Sequence, residues 1–328
     1  MNVDLHFHHT PRFFLDELRG ENPWGKTVTG DRESLVMTVG AQSLPLGPEH
    51  FDVMRTLALM DERRIDVAAV SPSPLLFHTQ WPAELVTPLH RRVNDAFAEL
   101  LRAQPARFAP LGTVPLQDPP AAVAELERVM SLGLFGIAIE THAAGKNLDD
   151  PGLRPLFAKA EALGAVVFIH PLAVLGADRL RAFHLTNLIG NPTDTAVAIA
   201  SLIFGGVLDS HPRLKLVCAH GGGSTPMLCG RWDHGAAVRP ELAHMTRLPS
   251  EALRQIHFDS LTHSPSALEL LVRTVGAERV VLGSDYPYDM GDPRAVERIE
   301  KAAFLTPAER ERILGANARA LLGLESLG

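Results

Sequence analysis

Leu216-Val217-Cys218-Ala219-His220-Gly221-Gly222-Gly223 is the stretch on which the reading of the fold turns. Four apolar residues suited to a buried strand run directly into a histidine, and the three glycines behind it leave the backbone open to close approach by a bound molecule. The arrangement recurs at Val3-Asp4-Leu5-His6-Phe7-His8, at Val166-Val167-Phe168-Ile169-His170-Pro171 and at Val280-Val281-Leu282-Gly283-Ser284-Asp285. Four apolar strands thus each deliver an imidazole or a carboxylate at their carboxyl end, where barrels and open α/β sheets carry their active sites.

The chain between these stretches alternates in the same rhythm. Helical patterns at 48–64, 85–104, 119–132, 152–163, 193–210, from Thr225, 265–275, 293–303 and 307–322 separate strands at 67–70, 108–116, 136–140, 165–170, 256–260 and those already quoted. In the first helix Phe51, Met54, Leu57 and Met60 are expected on the buried side. Eight strands with intervening helices favour a (β/α)8 barrel over a doubly wound sheet. The 328 residues suit such a barrel, which runs from about 200 to over 400 residues. Residues 1–328 therefore read as a single α/β domain, with residues 10–47 as a Gly- and Pro-rich insertion or lid over the barrel mouth. Phe13, Phe14 and Trp24 of that insertion are candidates for the apolar wall of a substrate pocket.

A hydrophobic fraction of 46%, a charged fraction of 21% and a net charge of -7 describe a globular protein without the basic excess that nucleic acid or anionic lipid demands. A small-molecule partner is expected. The two cysteines, Cys218 and Cys229, make no disulfide framework. No basic segment and apolar run open the sequence, and no apolar run approaches about 18 residues, so a cytoplasmic protein that neither crosses nor binds a membrane is expected.

His6 and His8 are two apart, so in a strand both imidazoles point to one face and can reach one metal ion. An isolated H-x-H would more readily be a pair of surface or core histidines; companions at three other strand ends reverse that weighting. His170 and Asp285 would complete three nitrogens and one carboxylate, a set suited to one Zn²⁺ with a position left for water. Taken singly, His170 reads equally well as a satisfied core histidine and Asp285 as a helix cap before Pro287. His220 is then a fifth polar group, free to exchange protons with water or substrate, the alternatives being a fifth ligand or a structural residue.

These motifs, with Val114-Pro115-Leu116-Gln117-Asp118, Lys146-Asn147-Leu148-Asp149-Asp150, Gly190-Asn191-Pro192-Thr193-Asp194-Thr195 and Leu282-Gly283-Ser284-Asp285-Tyr286-Pro287, resemble the amidohydrolase superfamily over nearly the whole chain. Within it they resemble the branch typified by 2-amino-3-carboxymuconate-6-semialdehyde decarboxylase. The resemblance implies a distorted TIM barrel and one Zn²⁺ per subunit on His6, His8, His170 and Asp285. It implies His220 and Asp285 as the residues that manage a proton during non-oxidative loss of CO2 from an aromatic or unsaturated carboxylic acid. It also implies a homodimer, to whose shared site the helix carrying Arg239 contributes.

The chain also departs from that branch. Its arginine ahead of the first helix has no counterpart in Val39 to Leu46, its pocket aromatics are replaced around His184 and Asn187, and the fourth strand ends in Glu140, not in the lysine of a two-metal centre. His184 and Asn187 are therefore candidate contacts to a different substrate. The alternative activity is metal-dependent hydrolysis of a lactone, amide or related C–O or C–N bond, since the same groups could attack a carbonyl.

Overall fold

The computed structural model describes residues 1–31, 34–39 and 42–324. Gly40 and Ala41, within the arginine-free stretch, and residues 325–328 lie outside them.

In chain order, β1 (Val3–His9) is followed by an insertion of α1 (Arg12–Glu17), β2 (Lys26–Gly30), β3 (Leu35–Val39) and β4 (Gln42–Leu46). Next come α2 (Val53–Glu62), β5 (Val67–Pro72), α3 (Ala83–Ala103), α4 (Pro119–Ser131), β6 (Gly136–Ile139), a hairpin of β7 (His142–Ala143) and β8 (Lys146–Asn147), and α5 (Arg154–Leu163). The second half holds β9 (Val166–Ile169), α6 (Asn191–Phe204), α7 (Val207–Ser210), β10 (Lys215–Cys218), α8 (Thr225–Val238), α9 (Pro249–Leu253), β11 (His257–Asp259), α10 (Pro265–Val275) and β12 (Val280–Val281). Helices α11 (Ala295–Lys301), α12 (Pro307–Glu311) and α13 (Asn317–Leu322) finish it.

Parallel ladders run β6–β9–β10–β11–β12 and β1–β5. The two sheets are joined through residues 108–112, where Phe108 bridges Ala68 and Gly112 bridges Ile137. On the other side Leu5 N–H donates to Leu282 at 2.9 Å and Asp285 N–H to His6 O at 2.8 Å, which closes the ring into the expected barrel, distorted because these two seams are not regular ladders. The stretch expected as a strand over 108–116 forms only those bridges. Pro110 and Pro115 bring no N–H to it, so a regular ladder cannot continue.

Alternation decides what faces inward. Ala138, Val166 and Phe168, Val217 and Ala219, and Val281 join Val3, Leu5 and Val67 in the apolar cluster that fills the barrel. Continuing that period of two puts His170, Glu140 and Asp285 on the inner face above it. Strand β1 needs one more device. Its pairing with β5 slips by one residue between Asp4 and Phe7. Such a bulge turns His6 and His8 to the same side as Val3 and Leu5.

Several elements differ from expectation. Helix α2 starts at Val53 because Asp52 caps it, accepting from Arg55 N–H, and Met54 lies outside, 71% exposed, while Thr56, Leu59 and Met60 face the core. Gly205 and Gly206 divide the helix expected over 193–210. The insertion is ordered as a helix and an antiparallel β2–β3–β4 sheet; its alternating Val28, Leu35, Met37 and Leu46 are buried, a strand pattern masked in sequence by flanking Gly and Pro. Among the described residues no helix is long and apolar enough to cross a membrane.

The turn after β10 is the least forgiving part of the backbone. Gly223 has φ +62°, and a Cβ there would lie 2.1 Å from Pro192 O. Gly223→Ala should lower stability by about 2 kcal/mol or more, whereas Gly230→Ala, in α8 with no atom within 4 Å of the added carbon, should raise it by about 0.5–1 kcal/mol. Urea-unfolding midpoints measure both, and a Gly223→Ala midpoint equal to wild type would refute the crowding argument.

Candidate active site

β1 brings His6 and His8 to the barrel mouth, and their outer nitrogens are already engaged. His6 Nδ1–H donates to Asp259 Oδ2 at 2.5 Å. His8 Nδ1–H meets Ser71 Oγ at 2.9 Å and Pro72 O at 3.2 Å, while the Ser71 hydroxyl donates to Phe7 O. With Nδ1 protonated in both rings, each Nε2 carries a lone pair. Those two atoms lie 3.1 Å apart, and Asp285 Oδ1 lies 3.1 Å from the first and 3.2 Å from the second. Three atoms able to donate an electron pair therefore point at one another, a centre that calls for a shared proton or a cation.

His170 adds a fourth. Both of its ring nitrogens are buried without a hydrogen-bond partner, as is Asp285 Oδ1. One ligating atom from each of His6, His8, His170 and Asp285 lies within 4.8 Å of the other three. A buried polar atom left unpaired is costly, and a cation bound among the four would pair Asp285 Oδ1 and one nitrogen of His170 at once. The donor set fits a divalent metal ion: three imidazoles, one carboxylate, and an orienting partner behind each histidine of β1.

The electrostatics agree. Burial depresses the His6 imidazole, yet Asp285 and Asp259 override it and push its pKa up to about 10, so their field draws positive charge into the centre. Burial pushes His8 down and His170 well down, which keeps these rings as neutral donors. Burial would raise the Asp285 carboxyl, but the charge of His6 and the adjoining rings of His220 and His8 hold it well below the usual carboxylate range.

His220 stands on the rim of this group. Its ring centroid is 5.1 Å from that of His6 and 5.0 Å from that of His170, and Nε2 is 3.6 Å from Asp285 Oδ2. Both His220 and Asp285 have φ +56°, a left-handed backbone that non-glycine residues adopt at a cost. Asp259 holds the first in place, accepting from His220 N–H and Gly221 N–H, both at 2.8 Å. Asp4 holds the second strand end, accepting from Ser284 Oγ–H at 2.5 Å and from the N–H groups of Ser284 and His6.

A two-lobed cavity opens above the group. The larger lobe, about 290 Å³, runs between Leu188, Met227, Leu261 and Leu271; the smaller, about 180 Å³, lies under Leu44, Leu75 and Tyr288. Asn187, Asn191, His220 and Asp285 line both. Of the expected substrate contacts, His184 lines the smaller lobe and Asn187 both.

Phe14 and Trp24 do not reach the cavity. Phe14 is fully buried, and Trp24 packs on His78 and Trp81 with centroids at 4.6 and 6.2 Å. The insertion packs Phe14 and Trp24 into buried surroundings, and among its described residues only Leu44 reaches the cavity lining. Arg239 follows α8 and is paired with Glu241 at 2.6 Å; within its own chain it lines neither lobe. Two residues escaped the reading of the sequence. Asp259 ends β11 much as Asp285 follows β12, so the signal was there; Tyr288, whose ring stands 5.6 Å from that of His8 and whose hydroxyl meets Ser73 Oγ at 2.5 Å, carried none.

The chain resembles known proteins from end to end. The amidohydrolase family profile spans residues 3–324. The chain is 35% identical to 2-amino-3-carboxymuconate-6-semialdehyde decarboxylase of Dictyostelium discoideum over 99% of this chain and 92% of that protein. It is 29% identical to gamma-resorcylate decarboxylase of Rhodococcus jostii (strain RHA1), over 82% and 87%. The crystal structure of 5-carboxyvanillate decarboxylase from Sphingomonas paucimobilis superposes with a TM-score of 0.83 at 28% identity, covering 98% of each chain. Sequence and architecture agree over the full length, and the chain belongs to the amidohydrolase family, in company with the decarboxylases just named.

Proposed function

We propose that this protein is a metal-dependent non-oxidative decarboxylase that releases CO2 from an aromatic or unsaturated carboxylic acid. The observation that carries the reading is the convergence of His6 Nε2, His8 Nε2 and Asp285 Oδ1 beside His170, with His220 at the edge of an apolar cavity. His6, His8, His170 and Asp285 would hold one divalent ion, and Zn²⁺ suits three imidazoles and a carboxylate best. When bound, such an ion supplies a Lewis acid that orients and neutralises a substrate carboxylate.

The rest of the chemistry belongs to the chain. The apolar lobe takes the unsaturated body of the substrate and excludes water from the carboxylate, favouring charge dispersal as CO2 departs. His220 delivers a proton to the carbon that bears the carboxylate. The bond from that carbon to the carboxylate then breaks, its electron pair restores the π system, and R–COO⁻ plus H⁺ becomes R–H plus CO2. Asp285 acts with His220 in holding that proton, and Asp259 fixes both the tautomer of His6 and the backbone of His220. No feature of the cavity favours the hydrolytic alternative, and the relatives named above are decarboxylases. A homodimer in the cytoplasm belongs to the same proposal; Phe183 and Met227, 87% and 75% exposed, are apolar surface that a second subunit would cover.

Purified protein should contain about one equivalent of metal per chain, with zinc in excess of manganese by plasma mass spectrometry, and His6→Ala or Asp285→Ala should lose it. Stoichiometric metal in both variants would rule out this ligand set. Asp259→Asn keeps all four ligands but gives His6 a neutral partner, so metal affinity should fall by about 10- to 100-fold in a chelator competition; unchanged affinity would remove Asp259 from its orienting role. His220→Asn should keep its metal yet slow CO2 release by about 10²-fold or more. A metal-free variant would make His220 a ligand instead, and full activity would leave the proton to Asp285 or water.

A further inference from the structure

Between β5 and α3 the chain runs along the smaller lobe as a strap, residues 72–79, which side chains from several other elements hold in place. At its start the Pro72 carbonyl accepts from His8 Nδ1–H at 3.2 Å, and Ser73 Oγ meets the Tyr288 hydroxyl. In its middle the turn Pro74–Leu76 puts Pro74 and Leu75 on the wall of the lobe. His90 Nε2–H, from α3, reaches the Leu76 and Phe77 carbonyls at 3.0 and 3.1 Å. At its end Thr79 N–H points to Glu140 Oε1 at 3.5 Å. The strap thus joins an orienting partner of a β1 histidine to the wall that a substrate would touch.

The hold on Leu75 itself comes from the insertion. Lys26, on β2, is only 7% exposed. Its Nζ donates to the Leu75 carbonyl at 2.6 Å and stands 3.5 and 3.3 Å from Nδ1 and Nε2 of His78. Trp24 covers the same imidazole at 4.6 Å, and Trp81 closes the box at 6.5 Å. Lysine is almost never buried this far unless paired. Burial pulls its ammonium down to about 7, and Glu140, buried at the end of β6, works against that fall. Glu140 Oε2 has no hydrogen-bond partner, so the carboxylate depends on the charge of Lys26. A buried cation costs folding free energy that an apolar side chain of the same length would spare. What the cation adds is a directed bond to one carbonyl, and that carbonyl belongs to the cavity wall.

We propose that Lys26 is a positioning residue of the site: by holding the Leu75 carbonyl from the insertion it fixes the wall of the smaller lobe and, on the decarboxylase reading given above, the fit of the substrate's body. Glu140 is its counter-charge, placed by β6 on the far side of the strap. The two residues act differently. The Lys26–Glu140 attraction contributes to stability, whereas the bond from Lys26 to Leu75 sets the shape of the lobe, so the two effects separate when the charges are removed together.

The test compares the full-length metal-loaded protein with Lys26→Met and with the double variant Lys26→Met, Glu140→Gln. Methionine fills the space of the lysine stem but cannot donate to Leu75. In Lys26→Met the Glu140 carboxylate is left buried without its counter-charge, so the urea-unfolding midpoint should fall, and the double variant should regain most of it. Hydrogen exchange of residues 72–79, read by mass spectrometry, should be about 10-fold faster in both variants, and benzoate binding in titration calorimetry about 10-fold weaker in both, the scale of one lost hydrogen bond from a charged donor. Metal content should stay at the wild-type level. Wild-type exchange and affinity in Lys26→Met overturn the proposal, as does failure of the wild-type protein to bind benzoate at millimolar concentration. Recovery of both readouts in the double variant overturns it equally, since Lys26 would then serve stability alone. Should Lys26→Met not fold, the double variant decides: fast exchange and weak binding support the proposal, wild-type values overturn it. CO2 release from a panel of aromatic acids is followed in parallel, and for any acid turned over KM should rise in both variants at unchanged kcat. No CO2 from any acid, with exchange and binding as expected, sinks the decarboxylase reading and leaves the role of Lys26 standing; turnover with a wild-type KM in both variants does the reverse.

Discussion

The bond from His6 to Asp259 is the contact on which the rest of the site depends. It joins the first strand to the seventh strand position of the barrel, 253 residues apart in sequence, and it places the proton of His6 on the outer nitrogen. The inner nitrogen is thereby left as a lone pair facing those of His8 and Asp285. The same carboxylate accepts two backbone N–H groups from the turn that carries His220. One buried acid thus fixes the tautomer of His6 and the position of His220, and moving it would disturb both at once.

Burial gives that contact its force. The acid and the imidazole are both fully excluded from solvent, so their attraction is screened less than it would be at a surface, and an unpaired partner would be left at high cost. The arrangement is unsatisfied without a cation: His170 has no partner for either ring nitrogen and Asp285 Oδ1 has none. A site left open at its centre while the outer nitrogens of His6 and His8 are hydrogen-bonded fits a preorganised metal centre better than a polar cluster that satisfies itself.

Closure of the barrel accounts for the geometry. Strands β9 and β6 and the segment after β12 each present alternate residues inward, so that Phe168 below is followed by His170 above, and Val281 below by Asp285 above. The apolar layer is also the floor of the site, since the rings of His6 and His170 stand 5.0 and 6.1 Å from that of Phe168. Stability and ligand placement are therefore two consequences of one alternating pattern. The positive φ of His220 and Asp285 is held by the backbone bonds that this closure makes.

Residues 166–170 and 280–285 show how far the sequence alone reaches. An apolar run that ends in His or Asp states both the strand and the chemistry at its end, because alternation is set by neighbours in the chain. The same locality made His6 and His8 legible as a pair on one face, and His220 as the residue before a glycine turn. It could not say which face. That depends on a one-residue slip between Asp4 and Phe7 against β5, a matter of pairing between strands. Phe14 and Trp24 look like pocket residues in a list of aromatics, but only packing shows that the insertion buries them against His78. Asp259 becomes functional only through its contact with His6, and Leu44 joins the cavity wall only through the fold of the insertion over the barrel mouth. Residue type and spacing determined the barrel and the polar residues at its strand ends; bulge, register and long-range burial decided the tautomers and the walls of the cavity, because each is a relation between segments that meet only when the barrel closes.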